Sequence, residues 1–111
     1  MINSNRSNNY GVIMSLENKL HVEIIYCVPW SFHAEAAWMA NEFFAECGNG
    51  IALTLTPGES GVLKVIADGD VIYDKSLEDN KHPDLNRVKE MRAALKSKLK
   101  WFSIEYQSQN F

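Results

Sequence analysis

Cysteine is scarce in this chain: among 111 residues there are two, Cys27 and Cys47. That is too few for the disulfide framework of a small secreted domain. Nor are the two placed to pair. A helix over 31–47 would hold its ends roughly 25 Å apart, whereas the Cα atoms of a disulfide lie within about 7 Å. Two free thiols in a reducing compartment are expected. Long apolar runs are missing as well. No stretch approaches the ~20 residues that cross a bilayer, and the N-terminus has no continuous apolar segment of the secretory kind. A cytoplasmic address without membrane contact is the expectation. Excess charge of one sign is also absent: a net charge of −3 with 23% charged residues provides no overall attraction to nucleic acid or to an anionic lipid surface. The three histidines and two cysteines show no metal-ligand spacing, so no metal is expected.

What is present suits one compact domain, since 46% of the residues are hydrophobic and a chain of this length builds one core. Residues 1–19, MINSNRSNNYGVIMSLENK, are rich in Asn and Ser without apolar periodicity, which predicts a flexible arm with Met14 as an alternative start. Order is expected over 20–102. Leu20, Val22, Ile24 and Tyr26 alternate with His21, Glu23 and Ile25, the period of a half-buried strand. Pro29 suits the first turn of a helix, where its missing N–H is not needed. Ala36, Met39, Ala40, Phe43, Phe44 and Cys47 follow at helical spacing, with Gly48 placed as the stop.

GIALTLT (50–56) reads as a second strand and PGESG (57–61) as a loop. VLKVIADGDVIYD (62–74) reads as a hairpin turning at Asp68-Gly69. KSLEDNKHP (75–83) is a polar loop. Leu85, Val88, Met91, Leu95, Leu99 and Phe102 then mark the apolar stripe of a second helix, and 103–111 form a tail. The order is β-α-β-β-β-α. A crossover helix favours parallel pairing of the first two strands, and the hairpin makes the last two antiparallel. The fold class is therefore α/β, in a two-layer α+β form: a four-stranded mixed sheet with two helices on one face, a thioredoxin-like arrangement. Pairing of the first strand with the third is inferred from that topology.

In four segments the chain resembles the selenoprotein W/T/H (Rdx) family, and its bacterial members in particular. VEIIYC (22–27) is similar to the strand that leads into the family's redox loop, and AAWMANEFF (36–44) to the first-helix signature. PGESGVLKV (57–65) resembles the loop and third strand, and DGDVIYD (68–74) the hairpin. HPDLNRVKEMRAAL (82–95) matches the closing helix less specifically. The likeness runs from Leu20 to Leu99. It implies a thioredoxin-like fold, a C-x-x-C or C-x-x-U motif and a thiol-redox role. The first motif position carries over to Cys27; the second falls on Trp30, which has no thiol.

Cys27 is the candidate nucleophile. It stands where the strand ends on a loop expected to be exposed, and the unpaired N–H groups of a following helix can stabilise a thiolate there. The other reading packs it as a small hydrophobe beneath Trp30. Trp30 is either an apolar lid over the thiol or an exposed aromatic anchor for a partner, and partial exposure is expected. His33, three residues on along the same helical face, is a candidate base for the thiol or a solvated helix residue. Ser60 and Gly61 open the third strand opposite the cysteine, where the resemblance puts the slot that thioredoxins fill with a residue and a cis-proline. A glycine there lets a substrate backbone approach, or it is a plain turn residue. Pro57 comes too early for that slot. Cys47 belongs to the helix's apolar stripe. Arg87, Lys89, Arg92, Lys96, Lys98 and Lys100 make the second helix basic, as a contact for an acidic partner or as a solvated face.

Two functions follow. In one, Cys27 is a monothiol that attacks a disulfide or accepts glutathione as co-substrate, and an external thiol resolves the adduct. In the other, the protein is a redox-inactive adapter that binds a protein partner through the 27–32 loop and the aromatic tail.

Overall fold

A computed structural model describes residues 19–99 of the chain. Residues 1–18 of the arm predicted over 1–19, Phe102 and the tail over 103–111 lie outside these residues. The elements are β1 (Leu20–Cys27), α1 (His33–Cys47), β2 (Ile51–Gly58), β3 (Leu63–Ala67), β4 (Asp70–Asp74) and α2 (Leu85–Ser97), with single 3₁₀ turns at Gly48–Gly50 and Lys75–Leu77. The strands form one mixed sheet in the order β2-β1-β3-β4. β1 runs parallel to β2 and antiparallel to β3, which is the pairing inferred from the topology.

One face of the sheet carries the core. Leu20, Val22 and Ile24 of β1 and Leu63, Val65 and Ala67 of β3 are buried against Ala36, Met39 and Phe43 of α1 and Val88, Met91 and Leu95 of α2. Burial of this apolar surface is the main force on the fold. Leu85, in the second helical stripe, is the first residue of α2 and is 46% exposed. The Asp68-Gly69 turn has φ of 46° and 89°, and positive φ at both positions is what a two-residue hairpin matching the twist of its strands requires. Asp84 caps α2 by accepting from the N–H of Arg87 at 2.8 Å.

The two helices are joined by charge. Arg92 of α2 donates to Glu42 and Glu46 of α1 at 2.7 Å each, and Lys96 lies 3.2 Å from Glu46. Arg87 pairs with Glu78 and Lys98 with Asp70. Much of the basic stripe read from the second helix is thus engaged within the domain. No helix among the described residues is long and apolar enough to cross a membrane.

Candidate functional site

β1 delivers Cys27 to its C-terminal end, level with Gly58 of β2. The chain does not enter α1 directly. Residues 28–32 form a closed turn in which the N–H of Phe32 donates to the Cys27 carbonyl at 3.0 Å and the N–H of Ser31 to the Val28 carbonyl at 2.9 Å. Ser31 has φ of 60°. Nested bonds of this kind around a left-handed residue terminate a helical turn. A helical turn therefore starts at Val28, stops at Ser31, and α1 begins afresh at His33. This corrects the expectation of one helix from residue 31 with Pro29 in its first turn.

The same turn settles where the thiol lies. Cys27 is fully buried, not on an exposed loop, and the N–H of Trp30 points at its Sγ from 3.3 Å. The Trp30 side chain is 60% exposed. Its indole lies against Gly61, close enough that a Cβ on that glycine would sit 3.2 Å from Trp30 Cζ3. Gly61 has φ of 79° and belongs with Ser60 to a turn before β3, two residues short of the strand they were expected to open. There is no cis peptide among the described residues, and Pro57 lies within β2. His33 is exposed at the start of α1. Because Trp30 is outside that helix, the shared helical face expected for the two residues does not exist.

Beside Trp30 the surface opens into a groove of about 720 Å³, lined among others by Trp30, Phe32, Ser60, Gly61, Lys75 and His82. Three rings follow one another along it. Trp30 and Phe32 meet edge to face at 6.0 Å, and Phe32 and His82 at 4.6 Å. His82 Nδ1 lies 2.5 Å from Glu35 Oε1 of α1. The ammonium of Lys75 stands 5.8 Å from the centre of the Phe32 ring.

Lys75 and His82 were not singled out in the sequence, where both fall in the polar loop. Lys75 had a signal: it is two residues beyond the buried Tyr73, so strand alternation carries its side chain to the covered face. His82 had none, because only the tertiary fold brings residue 82 against residue 32. The second thiol is elsewhere. Cys47 is buried at the far end of α1, and burial, aided by the charge of Glu46, pushes it up to about 11.

The match to known proteins decides the family. The Rdx family model matches residues 21–93. The chain belongs to the Rdx family. Two solved structures share its thioredoxin-like fold. A protein from Bordetella parapertussis is 27% identical with a TM-score of 0.60, over 66% of this chain and 92% of its own. A selenoprotein W-related protein from Vibrio cholerae is 22% identical with a TM-score of 0.66, over 74% of this chain and 99% of its own. No curated protein matches. Within this Rdx domain the strand end that holds Cys27, the closed turn and the Gly61 turn stand together at one end of the sheet.

Proposed function

We propose that this protein is a monothiol redox protein acting through Cys27 on small disulfides such as glutathione disulfide. The observation that carries the reading is the place of Cys27 at the end of β1, under the turn whose Trp30 N–H donates to its Sγ at 3.3 Å. In the reaction the Cys27 thiolate attacks one sulfur of the disulfide. The old S–S bond breaks, the new bond joins Cys27 to that sulfur, and the leaving thiolate takes a proton from water. Trp30 cannot release the adduct, so a second external thiol attacks it and frees Cys27. Trp30 acts as a lid: the sulfur is covered at rest, and the loop moves for the reaction to occur. Ser60 and Gly61 face the bound ligand across the groove. His33 is exposed at the start of α1, and the contact described for the Cys27 sulfur comes from the Trp30 N–H, so His33 is not favoured as the base. Two buried free thiols are in keeping with a reducing compartment, for which the cytoplasm is proposed.

The test is alkylation and glutathionylation of the folded protein against pH, resolved by mass with Cys47 as internal control. Cys27 reacts first, and Trp30→Ala accelerates it. Equal labelling of both thiols, or none at Cys27 at about pH 8, would sink the monothiol reading.

One observation favours a second reading. Val28 and Trp30 are 50% and 60% exposed on the same turn, and exposed tryptophans are common anchors in protein interfaces. As an adapter without chemistry, the protein binds a partner through this turn and the aromatic tail. A Cys27→Ser variant that retains partner capture while Trp30→Ala loses it favours the adapter.

A further inference from the structure

Lys75 is 5% exposed, the one charged side chain that is buried among the described residues. A buried ammonium is costly unless it is paired. Yet among the described residues no carboxylate lies within ion-pair distance of it. Its Nζ has three protons to donate and one long contact, 3.5 Å to the Asn80 carbonyl, besides the face of Phe32. Asp74 is the one acidic side chain that lines the groove, and it is already occupied. It accepts from the N–H and the hydroxyl of Ser76 at 3.0 and 2.7 Å, and Lys64 stands 3.7 Å away. His82 is turned to Glu35. The groove therefore presents a buried, under-coordinated cation over Phe32, the middle ring of the row, and at one end of the row Trp30, whose N–H donates to the buried Cys27 sulfur.

We propose that Lys75 is an anion subsite that receives the carboxylate of a small thiol or disulfide whose sulfur lies toward Cys27. The proposal rests on the thiol chemistry argued above and adds to it the class of substrate. A carboxylate in the groove supplies the partner that Lys75 lacks, and the charge-assisted bond is strong because the site is shielded from water. Phe32 lies beneath the spacer between carboxylate and sulfur. Ligands of the same size without negative charge leave the ammonium unpaired and gain nothing from it.

Three disulfides of similar size separate the charge: 3,3′-dithiodipropionate, bis(2-hydroxyethyl) disulfide and cystamine. Rates of mixed-disulfide formation at Cys27, each divided by the reagent's rate with a free cysteine peptide, are expected to fall in that order. Lys75→Met slows the dianionic reagent about tenfold and changes the neutral one less than about twofold. Equal slowing of all three, or an unchanged order in the variant, overturns the subsite. A second measurement needs neither a change at Lys75 nor a reactive thiol. Titrating 3-(methylthio)propionate into the Cys27→Ser protein shifts the NMR signals of Lys75, Ser76 and Phe32, and the neutral methyl ester does not. Equal shifts from acid and ester, or none at these residues, overturn the proposal. If no disulfide modifies Cys27, the monothiol reading fails, while this titration still decides the role of Lys75.

Discussion

The backbone N–H of Trp30 donates to the sulfur of Cys27 at 3.3 Å, so the residue that took the place of a second thiol still serves the first one through its main chain. Its side chain does something different. The indole lies against Gly61 and borders the groove with Phe32. The main-chain contact to the thiol and a wall of the groove thus belong to one residue, and substitutions around it are expected to separate the two.

Trp30→Cys restores the two-thiol spacing. Residues three apart in one helical turn have Cα atoms roughly 5–6 Å apart, inside the disulfide range. Mild oxidation is expected to join the new thiol to Cys27 within one chain, read as the loss of two hydrogens by mass and the loss of Cys27 alkylation. A folded variant that yields only cross-linked dimers would contradict the closed turn over 28–32.

Gly61→Ala places a methyl 3.2 Å from the Trp30 ring at a residue with φ of 79°. Both effects are unfavourable, and together they are expected to cost about 1 kcal/mol in denaturant unfolding. The indole has to move outward, so Cys27 alkylation rises at the same time. Lower stability with an unchanged alkylation rate would mean that the indole does not cover the thiol.

Ser31→Gly is expected to stabilise the protein. Ser31 sits at φ of 60°, where a side chain is strained and glycine is not; the relief, less the extra freedom of glycine in the unfolded chain, is about 0.5–1 kcal/mol. A shift of the denaturation midpoint to higher urea checks it. The opposite shift would place Ser31 outside the left-handed region.

Stability is expected to fall in alkali. Burial raises Cys47 from 9.0 to about 11 and Tyr73 from 10.0 to about 12. Between those values the folded chain holds protons that the unfolded chain has lost. The contribution is therefore complete below about pH 9 and declines as pH rises toward 12. Melting temperature against pH measures it. Tyr73→Phe flattens the part above about pH 10, and it costs about 1 kcal/mol at neutral pH through the lost bond from its hydroxyl to the Lys81 carbonyl, 3.0 Å long. A melting curve unchanged from pH 9 to 12 would show that neither group is shielded as described.

Periodicity was enough for the scaffold. The alternation from Leu20 to Tyr26, the helical spacing from Ala36 to Cys47 and the Asp68-Gly69 turn are local patterns, and local patterns report which face of an element is apolar. Together with the short connections they left few topologies, and the observed strand order is among them. Boundaries were less legible. Pro57 reads as the start of a loop but continues β2, an edge strand where a residue without an N–H is tolerated.

For the candidate site, the sequence by itself determined that a cysteine ends β1 and that a tryptophan follows at the third position. Tertiary structure alone decided that Cys27 is covered, that the turn closes at Ser31 and that the groove includes Lys75 and His82. The physical reason is range. A strand or a hairpin turn is set by neighbours a few residues away, whereas burial of a thiol or an ammonium depends on what distant segments place over it. Residue 61 meets residue 30, and residues 75 and 82 meet residue 32, only after the sheet has formed and the loop beyond β4 has folded back beside the start of α1.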